Sequence, residues 1–215
     1  SRFAPAQRLF HLPLERSQMR VLLLAASPTN LTEYNLQPLD LDRAREELRT
    51  VLGTAMLTEL TPAARRTPMQ TLDEQLERAP DPFTVLHIYA HTQQRDDEVG
   101  LFLSDSAEQV TVVEGTELLK RLSSVPPERL PRLIVLQTGP VGSLARALVQ
   151  NIGVPFVLTL SEGTGIDAAG RIIQAFYSQL SSHGEVDRAL TAAQQQVNRR
   201  NTDAPLLYTN TPDLR

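Results

Sequence analysis

One stretch, residues 132–150 (RLIVLQTGPVGSLARALVQ), constrains the chain more than any other. Its run Leu133, Ile134, Val135, Leu136 is apolar on both faces of a pleat, as in a strand covered on both sides of a parallel sheet. Residues 137–142 (QTGPVG) hold two glycines and a proline, the composition of a tight loop. Ser143 then suits the cap of a helix in which Leu144, Ala147, Leu148 and Ile152 recur at helical spacing. Open α/β sheets gather ligands and catalytic groups at the carboxyl ends of their strands. The loop from Gln137 to Ser143 is therefore the expected site. It contains no cysteine, histidine or acid, so its only reactive side chains are the hydroxyls of Thr138 and Ser143.

The rest of the chain repeats this unit. Apolar runs at residues 20–26, 55–60, 84–90 and 154–160 read as strands, and 205–209 as a last one. Asp40 is placed to cap a helix over 41–52, which Gly53 stops, and Thr67-Pro68 opens a helix carrying Met69, Leu72 and Leu76. Helices are also expected over 115–123, 165–181 and 185–198. Residues 92–98 read as a charged loop, and 99–103 with 109–113 as a hairpin on the sheet edge. Strands alternating with helices give a three-layer α/β/α sandwich around a mostly parallel sheet. Residues 1–19, punctuated by Pro5 and Pro13, form an arm, and 20–215 a single domain.

Composition removes several function classes. A net charge of -4 argues against nucleic acid or an anionic membrane as partner. With no cysteine, disulfides, thiolate catalysis and thiolate metal sites are out. No apolar run approaches the roughly 18 residues that span a bilayer, and no secretory leader is visible, so a cytoplasmic location is expected. The absence of an initiator Met fits a domain cut from a longer protein. No P-loop motif is present.

Several pieces, taken in order, resemble the CHAT domains of the caspase-like peptidase group. The first strand ends LLLAASP (22–28), a small residue and then proline. The central strand ends HIYAHT (87–92), similar to the family's His-x-x-x-His-Gly. The nucleophile strand, Leu-Asn-Ala-Cys in the family, reads LQTG (136–139). GVPFVL (153–158), Asp167, the Phe176-Tyr177 pair, and DRALTAAQQQVNRR (187–200) followed by PLLY (205–208) complete the likeness over about residues 20–209. The resemblance implies a caspase-like fold and places the family's catalytic His on His91. It also places the catalytic Cys on Gly139, and the glycine that helps bind the oxyanion on Thr92. Cysteine peptidases need a thiolate beside an imidazole. The resemblance therefore implies a pseudoprotease, and a setting in a larger bacterial signalling or defence protein.

The expectation is a regulatory or protein-interaction module whose partners are other proteins or other domains of a longer chain. No cofactor or metal is expected, and the sequence leaves the oligomeric state open. Its binding cleft comprises Ala90, His91, Thr92, Gln137, Thr138, Gly139 and Gly142, with His91 and Gly139 as vestiges of the catalytic pair. His87 reads as a packed core histidine. An i, i+4 pair on one strand lies roughly 13 Å apart, too far for His87 and His91 to share a metal. Two alternatives stand beside this one. One is a residual hydrolase using Thr138 or Ser143 with His91. The other is a nucleotide- or phosphate-binding domain built on Gly163, Thr164 and Gly165, where GTGIDA (163–168) matches G-x-G-x-x-A and Glu185 stands about twenty residues on.

Overall fold

The computed structural model describes residues 14, 16–137, 139–160, 164–196 and 205–209. A six-stranded sheet forms the centre, in the order β2-β1-β3-β7-β8-β9. Its strands are β1 (Val21–Ala25), β2 (Leu57–Glu59), β3 (Val85–Tyr89), β7 (Leu133–Leu136), β8 (Phe156–Thr159) and β9 (Leu206–Thr209). All pairings are parallel except β8 with β9. This is the expected α/β/α sandwich.

Alternation along the strands divides the core in two. Leu22, Leu24, Leu86, Ile88, Ile134 and Leu136 face one side, toward α2 (Pro68–Arg78), α3 (Gly115–Ser124) and α4 (Gly142–Ala147). Val21, Leu23, Val85, Leu133 and Val135 face the other, toward α1 (Leu41–Leu52), α5 (Ile166–His183) and α6 (Val186–Gln194). His87, Tyr89 and Gln137 belong by parity to this second face.

The helix ends follow local chemistry. Asp40 Oδ1 accepts from the Arg43 amide at 3.0 Å and starts α1. Thr67 and Gln70 form a reciprocal capping box on α2, at 3.2 and 2.9 Å. Gly184, at φ 73°, ends α5 in the left-handed conformation that glycine adopts without strain. Its carbonyl accepts from the Leu14 amide at 2.8 Å. Of the expected arm, Leu14 and Met19 are buried in the core; residues 1–13 and 15 lie outside the described residues.

Three expectations are corrected. Residues 92–98 are not a loop: β4 (His91–Arg95) pairs antiparallel with β5 (Glu98–Ser104), turning at Asp96 with φ 51°. The hairpin of β5 and β6 (Val110–Glu114) is not on the edge of the main sheet; with β4 it makes a separate three-stranded sheet. Ser143 does not cap α4, which begins at Gly142 with Val141 at the cap and no side-chain cap bond. The helix continues past Ala147 as a π-helical turn, Leu148–Ile152.

Candidate functional site

β3 and β7 lie side by side, with Ile88 paired to Leu136, so their carboxyl ends emerge together. The Gln137 amide donates to the Ile88 carbonyl at 2.9 Å and extends that pairing by one residue. A cleft of about 290 Å³ opens beyond these ends. It is lined by Tyr89, Ala90 and His91 after β3, Gln137 and Gly139 after β7, Leu160 after β8, Leu39 before α1, and Thr164, Ile166 and Ala169 at the start of α5. The volume is close to the lower end for small-ligand pockets. A larger hollow of about 460 Å³ lies elsewhere, bounded by Leu122, Leu130, Arg132, Ile152 and Pro155, and carries none of the motif residues.

Ala90, His91, Gln137 and Gly139 thus come together as expected, and Thr164 joins them. Thr92 does not line the cleft. It is buried, and its Oγ1 lies 3.3 Å from where a Cβ on Gly139 would stand. Gly142 is also outside: a Cβ there would meet the Tyr208 hydroxyl at 3.3 Å, on the β9 side of the loop. Thr138 and Gly163 lie outside the described residues.

His91 is half-buried at the first position of β4, so it does not share a strand with His87. Its Nε2 is 2.6 Å from the Gln37 carbonyl oxygen. A carbonyl only accepts, so Nε2 donates. His87 is fully buried, as the sequence implied. Its Nδ1 meets the Tyr177 hydroxyl at 3.0 Å and its Nε2 meets Gln137 Oε1 at 2.9 Å. The His87 and Tyr177 rings are stacked, with centroids 5.6 Å apart. Burial lowers the His87 pKa to about 4, against a smaller opposing effect of the Gln137 bond, so the ring is neutral near pH 7. Burial also pushes the Tyr177 phenol up. Tyr89 is raised as well, first by burial and then by the nearby carboxylates of Asp40 and Glu47.

The two alternative chemistries fare differently from the cleft. The Ser143 hydroxyl is buried in α4 with no hydrogen-bond partner, among the described residues, to activate it. Gly165 starts α5, whose 18 residues extend about 27 Å before Glu185 is reached, so that acid stands at the wrong end to meet a nucleotide at Gly165. The first turn of α5 already carries Asp167, paired with Arg43 at 2.6 Å.

Sequence reasoning missed Leu39, Tyr89, Leu160, Ile166 and Ala169 as walls of the cleft, and Tyr177 as the inner partner of His87. Tyr89 was within reach, since it shares strand parity with His87. The others come from segments whose approach only the assembled fold defines.

Among the described residues no group of acids and histidines is arranged to hold a metal, and no helix is long and apolar enough to cross a membrane. No curated protein matches the chain. The family model for the CHAT domain matches residues 2–210, nearly the whole length, and its caspase-like architecture is the sheet described above. The chain belongs to the CHAT domain family.

Proposed function

We propose that this CHAT domain works without peptidase chemistry, as a regulatory or protein-interaction module of a larger cytoplasmic protein in bacterial signalling or defence. The observation that carries the reading is at Gly139. The position that the resemblance assigns to the nucleophile has no side chain, and the Thr92 hydroxyl occupies the space a Cβ would approach. Covalent attack on a peptide carbonyl requires a nucleophile held against a base. Neither the buried Ser143 hydroxyl nor any cysteine supplies one. The described residues that line the cleft beside His91 are apolar or uncharged polar ones, a surface suited to binding.

The test is hydrolysis of a fluorogenic peptide library by the purified chain and by its His91→Ala variant. Neither is expected to release product above buffer. Turnover by the unaltered chain that disappears in His91→Ala would show a working hydrolase and end this reading.

A further inference from the structure

The polarity of the cleft follows from the groups beneath it, given that the site binds, as proposed above. Gln137 has two different ends, a carbonyl acceptor and an amide with two donors. Its Oε1 faces inward, 2.9 Å from His87 Nε2. A neutral imidazole donates at one nitrogen and accepts at the other. If Nε2 donates to Gln137, Nδ1 must accept, and the Tyr177 hydroxyl 3.0 Å away is the donor it needs. The chain of bonds therefore runs one way, from Tyr177 through His87 to Gln137. The end of Gln137 left over for the cleft is its NH2, with no bond from that nitrogen to another side chain among the described residues.

His91 lines the same cleft. With Nε2 held by the Gln37 carbonyl, Nδ1 is its remaining nitrogen. Among the described residues no aspartate, glutamate, lysine or arginine lines the cleft, and Leu39, Leu160 and Ile166 are branched and apolar. Against these described walls an ionised ligand would lose water without a charged side chain to pair with, and the Asp40 and Glu47 carboxylates near Tyr89 disfavour an anion further.

We propose that the cleft takes an uncharged amide bearing a branched apolar group, its carbonyl accepting from the Gln137 side-chain amide. The buried Tyr177–His87 pair sets which end of Gln137 is offered. Tyr177 and His87 are positioning residues; neither touches the ligand. The same chemistry is offered by a peptide segment of a partner or by a free small amide.

The experiment is 1H–15N NMR of the full chain titrated with three probes. N-acetylleucinamide resembles a peptide segment, isovaleramide is a free amide, and N-acetylleucine has the same body with a carboxylate. The Gln137 side-chain NH2 signals are expected to shift with the amides, with a dissociation constant in roughly the millimolar range for molecules of this size. N-acetylleucine should bind about tenfold more weakly or worse. The tighter amide identifies the source, a peptide segment or a small molecule. The His87 ring should show its proton on Nε2. Gln137→Glu, which removes the donors, should abolish the amide response, and Tyr177→Phe should weaken it while moving the His87 nitrogen shifts.

Equal binding of the carboxylate probe, an unchanged response in Gln137→Glu, a His87 proton on Nδ1, or no response to either amide would each overturn the proposal. Absence of binding leaves the non-catalytic reading intact. Conversion of N-acetylleucinamide to N-acetylleucine would instead sink that reading.

Discussion

The Thr92 hydroxyl stands 3.3 Å from the point where a Cβ on Gly139 would lie, and the Thr92 carbonyl oxygen 3.8 Å from it. The two positions to which the resemblance assigns the catalytic cysteine and the oxyanion glycine are therefore neighbours. The Thr92 side chain fills the room beside Gly139 into which a side chain there would extend. Gly139 is not held in a left-handed conformation, so space alone opposes a side chain there. Gly139→Ala is expected to cost about 1 kcal/mol by crowding Thr92. In a Thr92→Ala background that cost should largely vanish, a coupling that urea unfolding of the four chains measures. Strictly additive effects would mean that the two positions changed independently.

His87 makes stability depend on pH. Its folded pKa of about 4 lies below the ordinary 6.5, so the unfolded chain takes up the proton first. Its contribution is full above about pH 6.5 and is lost as the pH falls through about 4, a total of about 3 kcal/mol. The urea midpoint should drop between pH 7 and 4.5. His87→Asn, less stable at pH 7, should show a flatter dependence over that window. Parallel curves would mean that other groups carry the effect.

Ser143 carries a buried hydroxyl without a hydrogen-bond partner among the described residues. Ser143→Ala removes an unsatisfied group and should leave thermal stability unchanged or raise it by up to about 1 kcal/mol. A comparable loss would reveal a partner for the hydroxyl and return Ser143 to consideration.

Gly184 and Gly53 both have positive φ, 73° and 76°, but only Gly184 has a neighbour in the way. A Cβ at Gly184 would come within 2.2 Å of the Leu14 carbonyl oxygen, while one at Gly53 meets nothing within 4 Å. Gly53→Ala should cost about 1–3 kcal/mol for its backbone conformation alone, since φ 76° with ψ 161° is a region that glycine all but monopolises. Gly184→Ala should cost more and release the segment around Leu14, seen as faster limited proteolysis near residues 14–20. Equal costs and equal proteolysis would mean that Leu14 is not seated by this contact.

The legible features are those whose cause is local. Asp40 and Thr67 announced their helices because a cap acts within three residues. The apolar runs of β1, β3, β7 and β8 announced a covered parallel sheet because both faces are packed. β4 escaped because HTQQR, with only Thr92 buried, pairs on one side and leaves its other residues to solvent, as charged loops do. Ser143 misled because it stands one residue inside a helix that starts at Gly142. The site was half visible: motif positions brought Ala90, His91, Gln137 and Gly139 together. The bond between His87 and Tyr177, which are 90 residues apart, needed the packed sheet and α5 to define it.

The chain passes from β3 to β4 through Ala90 alone and changes sheets in doing so. His91 therefore rides on the small sheet, paired with Phe102, whereas Gln137 is fixed to the large one. The cleft is the joint between two plates. The plates are not independent, because Val99, Leu101, Leu103 and Val113 of the small sheet lie in the same buried cluster as Leu22, Leu86 and Ile88 of the large one, so the spacing of imidazole and amide is set by a shared core.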